Sequence, residues 1–543
     1  MTSWDYVIVG AGSAGCVLAA RLTEDPAVRV LLLEAGDRDT AKEVAVPAAF
    51  SKLFQTRHDW NYRTEPDPAT DNRPMYWPRG KMLGGSSSIN AMIYIRGARE
   101  DFDSWRDGGC EGWGFDDVLP YFLKSEDNTR GGSAFHGTGG PLTVADQRSP
   151  SPLSEDYLAA AEQYGLRRNP DFNGADQDGV GLYQVTQKGG LRASTAAAFL
   201  RPALRRPNLE VRTLAHATRV VVEGGRSVGV EAQVGGMREV FRADREVLLA
   251  GGAINTPQLL LLSGIGPADE LRPLGIEVVV DAPKVGRNLQ DHLSIGTTFT
   301  ANGPVSYFET DKRIGSIASW LLRKRGPFSS PIAEAGGFVR TEDGLTAPDL
   351  QLLFGPAMFV EHGQVDPPGH GFSLGCYLLQ PRSTGRITLR SSDPLAAARI
   401  EAGYLTDPHD LEVLVRGLRQ SLEIAAQSPL ARHAAARYLP EAAHAMDDDR
   451  LAQAHVRSRS ETMYHPTSTA AMGPSDDDVC DPALRVRGVS GLRVVDCSAF
   501  PAVTRGNTNA PVIMLAEKAA DLLRQAPVTP AQRTATPERT SVR

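Results

Sequence analysis

Asp5-Tyr6-Val7-Ile8-Val9-Gly10-Ala11-Gly12-Ser13-Ala14-Gly15 opens the chain, and its reading decides the fold class. Residues 6–9 are apolar and largely branched, residues 14–22 form a small-residue helix, and residues 28–33 resume a buried strand that ends at Glu34. Strand, glycine turn, helix and strand make one parallel βαβ unit, so the class is α/β. Gly10 permits the tight turn, Gly12 lets the backbone approach a pyrophosphate, and Gly15 allows close helix packing. The helix N-terminus at Ser13 and Ala14 then meets negative charge, and Glu34, followed by Ala35, is placed to accept from ribose hydroxyls. The glycine spacing alone fits many plain turns. With its strand, helix and acid it implies a dinucleotide, without separating FAD from NAD.

With 543 residues the chain exceeds one hydrophobic core, and two interleaved domains are expected. Its 41% hydrophobic and 23% charged residues suit a soluble globular protein, and a formal net charge of -7 argues against nucleic acid as a partner. Cys16, Cys110, Cys376, Cys480 and Cys497 stand singly, without the paired spacing of a metal site, so reduced thiols and no bound metal are expected. The first strand leaves no room for a signal peptide, and no apolar run suits a transmembrane segment; the expected location is cytoplasmic. Residues 213–249 alternate around Gly224-Gly225 and Gly235-Gly236 like an antiparallel meander, and residues 246–252 read as another strand entering a glycine turn at Ala250 and Gly251. Residues 40–80 read as a long irregular excursion over a cofactor, and residues 411–426 as a helix. From 527 onward the Pro-, Thr- and Arg-rich tail is expected to be disordered.

A second glycine cluster, Arg79-Gly80-Lys81-Met82-Leu83-Gly84-Gly85-Ser86-Ser87-Ser88-Ile89-Asn90, lets backbone lie close to a flat ring, though a strand-to-helix connection capped by serines has the same composition. This cluster, its continuation Ala91-Met92-Ile93-Tyr94-Ile95-Arg96-Gly97, and Gly252-Ala253-Ile254-Asn255-Thr256-Pro257-Gln258 with the leucines that follow resemble the two signature stretches of the glucose-methanol-choline (GMC) oxidoreductases, and most of all the choline dehydrogenase-like branch. The resemblance runs from about Trp4 to Arg524. It implies extended FAD in a Rossmann-like FAD-binding domain (1–155, 205–300 and 460–526), interleaved with a substrate-binding domain on an antiparallel sheet with helices (156–204 and 301–459). By resemblance Gly10, Gly12, Gly15 and Glu34 serve the ADP half, and Gly84, Gly85, Asn90 and Met92 the flavin half. Ala217 meets adenine and Asp496 the ribityl and phosphate region. Arg79, Met82, Ser86, Ala91, Ile93, Ala250, Gly251, Cys497, Pro511 and Val512 complete the expected cofactor shell. Relatives with a covalent flavin carry a histidine where this chain has Ile89, so a non-covalent FAD is expected.

Oxidising an alcohol removes a proton from oxygen and a hydride from carbon, and histidine is the side chain whose ordinary pKa suits the first task. Among 11 histidines, His465 stands in Tyr464-His465-Pro466-Thr467-Ser468, where proline biases it toward extended backbone. By resemblance it is the family's proton acceptor, and Asn509 of Asn507-Thr508-Asn509-Ala510-Pro511 is the neutral donor that stabilises the alkoxide. Read without the resemblance, Thr508 or Asn509 caps the helix beginning near Pro511, whose positive end would favour a reduced flavin. Trp60 and Tyr464 match aromatic positions beside the flavin in choline-oxidising relatives. Ala333, before Glu334, replaces an aromatic residue of choline oxidases, and Leu353 a histidine. The expected substrate is therefore a small-molecule alcohol, with aryl or alkyl primary alcohols at least level with choline, and oxygen or another electron acceptor reoxidises the flavin. Choline dehydrogenase proper and an FAD-containing lyase of the same fold are the alternatives.

Overall fold

The opening strand, Ser3–Val9, is flanked in parallel by Val30–Leu33 on one side and Met237–Leu249 on the other. Such a strand must be apolar on both faces, and Val7, Ile8, Leu31 and Leu32 are fully shielded from solvent. The computed structural model describes residues 3–441 and 443–525; the tail expected from 527 onward lies outside the described residues. Leu209–Arg212 extends the sheet at one edge. At the other, Ala215–Glu223, Arg226–Val234 and Met237–Leu249 form the expected meander, turning at two glycine pairs whose φ values are all positive. Leu492–Val494 joins Met237–Leu249 in parallel and brings the last part of the chain back to the first. Helices Ser13–Leu22 and Asn509–Gln525 pack together on this sheet, with Arg21 paired to the fully buried Glu517 at 2.8 Å.

The second sheet is wholly antiparallel. Its order is Ala434–Leu439, Leu293–Ala301, Gly371–Leu378, Leu350–Gly355, Ala335–Val339 and Gly179–Leu182, and Glu461–Thr462 pairs with the start of Leu293–Ala301. Leu293–Ala301 and Glu461–Thr462 thus lie in this sheet, although the boundaries expected from sequence place nearly all of both in nucleotide-side segments. Helix Pro408–Ala425 covers one face through Val413, Leu414 and Leu418; it begins at Asp407, whose carboxylate accepts from the His409 N–H. Residues 40–80 hold only short helical turns and two-residue strands.

A cavity lies between this sheet and the parallel strands. Val9, Leu33 and Leu249, the carboxyl ends of three neighbouring parallel strands, line one end of it, where α/β sheets place their ligands. Leu353, Phe354, Leu374 and Gly375 of the antiparallel sheet line the other. Among the described residues no helix is long and apolar enough to cross a membrane, and no cluster of His, Cys, Asp and Glu could hold a metal ion.

Candidate active site

The two glycine turns meet backbone to backbone. A Cβ on Gly10, whose φ is 99°, would lie 2.5 Å from the Ala250 oxygen, and one on Gly15 would lie 1.9 Å from the Gly10 oxygen. Packing therefore requires glycine at both. Gly12 differs: the nearest atom to an added Cβ is 3.9 Å away, so this glycine keeps open the wall of the cavity. A Cβ on Gly85, φ 51°, would lie 2.7 Å from the Gly12 Cα, and the Gly84 N–H donates to the Ala11 oxygen at 2.7 Å. Glu34 accepts from the Ala11 and Gly36 N–H groups, each at 2.8 Å, while burial pushes its pKa up to about 7.

The cavity holds about 400 Å³ and is lined by Gly10, Gly12, Ser13, Ala14, Glu34, Ala35, Trp60, Arg79, Gly85, Ser86, Ile89, Asn90, Ala91, Met92, Ile93, Ala217, Ala250, Gly251, Tyr464, His465, Asp496, Cys497, Asn509 and Val512. Four residues expected at the cofactor stand behind its wall. Gly15 is the helix-to-strand contact, Gly84 (φ 86°) forms the turn, Pro511 lies within the helix, and Met82 is fully buried in a small core with Phe50 and Ile89. Trp60 lines the cavity beside three neighbours. Its ring stacks on Tyr62 with centroids 5.7 Å apart, meets His216 edge-on at 5.6 Å, and carries Lys81 Nζ 4.4 Å above its face. Trp60, His216 and Ala217 all line the cavity, and the Trp60 backbone N–H donates at 2.9 Å to the carbonyl of Arg79, whose guanidinium reaches Tyr464.

Three helix N-termini open on the cavity: Ser13–Leu22, Gly252–Leu262 and Asn509–Gln525. Together they suit an anionic, electron-accepting ligand. Asp496 clamps the second, with Oδ2 accepting from the Gly252 N–H at 2.9 Å and the Thr256 hydroxyl at 2.6 Å, and Oδ1 from the Ser498 N–H at 2.8 Å. Ser13 Oγ ties the first helix to the third by donating to Asn509 Oδ1 at 2.6 Å. The half-buried Arg79 lines the cavity and its guanidinium donates to the Pro78 and Tyr464 carbonyls, at 2.7 and 2.6 Å, neutral partners that leave it a positive charge at the wall. The open face of Gly12, the convergent helix ends and this guanidinium fit an FAD. Burial pushes the Cys497 thiol up to about 12, which keeps it protonated.

His465 is 8% exposed and stands at the junction of three hydrogen bonds. Asp291 accepts from its backbone N–H at 2.7 Å and holds its loop through the hydroxyls of Thr462 and Tyr404. His465 Nδ1 is 2.9 Å from His292 Nδ1, and His292 Nε2 is 3.1 Å from the Leu379 oxygen. A carbonyl can only accept, so His292 carries its proton on Nε2 and offers a bare Nδ1. His465 must then donate from Nδ1, leaving Nε2 bare, and Asn507 Nδ2 donates to it at 3.2 Å. Burial holds the His292 pKa down at about 3, and His465 is held well below the ordinary value by burial, then His292, then Arg79. Both rings are therefore neutral, and one tautomer of His465 is selected. Tyr464 just before it has φ of 68°, a strained backbone of the kind that sites retain.

The amide beside His465 is thus Asn507, whereas the sequence reading names Asn509. Asn509 lines the cavity, but its oxygen is occupied by Ser13 and it begins the final helix. Asn507 Oδ1 is buried without a partner. Asn507, His292 and Asp291 are the site residues that sequence reasoning missed. An acid and a histidine side by side, Gln290-Asp291-His292, just before an apolar strand were the only local signal.

Phe50, Phe54, Ile332, Phe359, Met463 and the expected Ala333 and Leu353 give the cavity apolar and aromatic lining, interrupted by the polar Ser294, Thr298, Ser373 and Arg459. Glu334 does not reach it. Its carboxylate is fully buried and accepts from the Ser151 N–H and the hydroxyls of Ser154, Tyr307 and Ser330, all at 2.6 to 2.7 Å. Glu461 does line the cavity, and burial pushes its pKa up to about 7.

The GMC oxidoreductase family models match residues 4–294 and 381–516. The chain is 43% identical to the alcohol dehydrogenase [acceptor] of Pseudomonas putida over 96% of its length and 95% of that protein's. It is 42% identical to the mitochondrial choline dehydrogenase of Mus musculus, over 96% and 90%. The crystal structure of pyridoxine 4-oxidase from Mesorbium loti superposes with a TM-score of 0.88 at 32% identity, covering 97% of this chain and 100% of that one. The matched regions contain the glycine turns, the His292–His465 pair and the Asn507 loop, and on these matches the chain belongs to the GMC oxidoreductase family.

Proposed function

We propose that this GMC oxidoreductase, an FAD-dependent enzyme of alcohol oxidation, acts on apolar primary alcohols with aryl or alkyl groups, using His465 as the proton acceptor. The observation that carries the reading is the relay Leu379–His292–His465–Asn507, which turns a bare, neutral Nε2 toward the cavity. A substrate hydroxyl placed at Nε2 gives up its proton there, and Asn507 Nδ2 donates to the oxygen as negative charge develops, the role the sequence reading gave to Asn509. Gly12, Ser13, Glu34, Gly85, Asn90 and Asn509 would hold the FAD, which when bound accepts the hydride. Ile89 in the wall offers no nucleophile and Cys497 stays a thiol, which supports a non-covalent flavin. Glu334 is sequestered, the Glu461 pKa is pushed up to about 7, and Arg459 brings a positive charge to the lining. Although aromatic faces are present, the site therefore favours aryl and alkyl alcohols over a quaternary ammonium, which calls for a carboxylate that stays charged. The parallel sheet would mark the nucleotide-binding part and the antiparallel sheet the substrate-binding part. Five unpaired cysteines support a reducing, cytoplasmic setting.

The test is anaerobic mixing of the holoenzyme with choline, aliphatic and benzylic alcohols, followed by oxygen or a dye as acceptor. Apolar alcohols should bleach the flavin faster than choline, and His465→Ala should keep its flavin while losing about 10²- to 10⁴-fold in that rate. Preference for choline would overturn the substrate reading, and normal bleaching in the variant would remove His465 from the chemistry.

A further inference from the structure

Outside the cavity, helix Ile314–Arg323 turns apolar side chains outward. Ile314 is 83% exposed, Leu321 64% and Leu322 84%, with Ile317 beside them at the i+3 spacing from Ile314, so these residues share one unpartnered flank. Trp320 alone anchors the inner side, 8% exposed. The helix is bracketed by charge. Between 309 and 325 the sequence has five basic and two acidic residues, against a chain of formal charge -7, and Arg313, Arg323 and Arg325 are all exposed. Glu309, one of the two acids, is taken up by Lys312 at 2.8 Å. The hairpin Gln187–Lys188 and Leu191–Arg192 meets the end of this helix, where a Cβ on Gly190 would touch the Lys324 backbone, and it adds exposed Lys188 and Leu191 to the same surface.

We propose that this surface docks on an anionic lipid bilayer, with the leucines and isoleucines in the acyl boundary and the arginines at the headgroups. Apolar side chains between basic flanks on a short helix are what such an interface selects. A second copy of this chain fits less well, because both ends of the helix are basic and a two-fold contact through it would set basic ends against basic ends. The position also has a use. After Gly326 the chain passes through the turn Pro327–Ser329, which packs on Pro47–Leu53, to Pro331, Ile332 and Ala333 in the cavity wall. Docking would hold that wall near the phase in which apolar alcohols accumulate. Vesicle binding itself does not depend on which alcohol the cavity takes, so the two readings fail separately.

The experiment is flotation of the FAD-loaded enzyme with vesicles of phosphatidylcholine containing phosphatidylglycerol, and with phosphatidylcholine alone, at low and high salt. The enzyme should float with the anionic vesicles at low salt and much less with the others. Each exposed basic residue contributes about fivefold in partition, so R323E with R325E should lower binding by at least about twenty-fivefold. L321S with L322S should lower it about tenfold or more. Flavin content, melting temperature and the rate on a water-soluble alcohol should not change in either variant. Absence of wild-type flotation, equal binding to neutral vesicles, or unaltered binding in both variants would overturn the proposal. So would a loss of dimer mass in the serine variant without vesicle binding, which would make a second copy the occupant.

Discussion

Replacing His292 with Phe removes the acceptor that fixes the tautomer of His465 while leaving the cavity wall intact. The ring it replaces is fully buried and spans Leu379 O and His465 Nδ1 at 3.1 and 2.9 Å. Phe fills similar space but leaves a carbonyl and an N–H unpaired, each a loss of about 1–3 kcal/mol. Only the second bears on rate. With no acceptor at Nδ1, His465 can carry its proton on Nε2 instead, where Asn507 or solvent can turn to receive it. The reactive tautomer is then disfavoured by about 1–3 kcal/mol, or about 5- to 150-fold. His292→Gln is the companion, since one amide can accept from His465 and donate to Leu379 together. The assay is the limiting rate of anaerobic flavin bleaching with a fast alcohol, alongside flavin content and melting temperature. The Phe variant should keep its flavin, melt lower and lose rate in that range mainly through kcat, with Gln recovering most of it. Wild-type reduction in the Phe variant, or a Gln variant no better than Phe, would refute the tautomer argument.

Asn507→Ala should slow flavin reduction by about 10²- to 10³-fold with the flavin retained, whereas Asn509→Ala, which severs the tie to Ser13, should chiefly weaken FAD retention during dialysis. The reverse pattern would return the substrate contact to Asn509. Because His465 is held below its ordinary pKa, it stays unprotonated as pH falls, so kcat/KM should remain flat through pH 6.5 and drop only at lower pH; an acid limb above that value counts against the assignment. Gly85→Ala should lose FAD and stability, since its Cβ would sit 2.7 Å from the Gly12 Cα at a left-handed φ; an FAD titration and a melting curve check this. Acid precipitation should leave the yellow colour in the supernatant, and colour in the pellet would show a covalent bond that neither Ile89 nor Cys497 explains.

The βαβ unit is legible because its signals are local: strand, Gly10 turn and helix follow within twenty residues, and each glycine has its own steric reason. The meander is legible for the same reason, its Gly-Gly pairs marking both turns. What the sequence leaves open depends on distant contacts. His292 and His465 are 173 residues apart and meet because Leu293–Ala301 and Glu461–Thr462 pair in the antiparallel sheet. Asn507 and Asn509 flank Thr508 in one short loop, and only the helix start, which turns one amide to Ser13, separates their surroundings. Trp60 is an aromatic residue in an irregular stretch, with no periodicity to foretell its contacts with Tyr62, His216 and Lys81.

The packing of helix Ser13–Leu22 against Asn509–Gln525 has a consequence for biosynthesis. The cradle's first strand emerges early, yet its parallel neighbour Met237–Leu249 and the closing helix come far later. At about 5–20 residues per second, the ribosome needs roughly 10–50 s to travel from the end of that neighbour to Asn509. During that interval the pocket lacks the wall that Asn509 and Val512 supply, so loss of the last helix would open the site rather than trim an end.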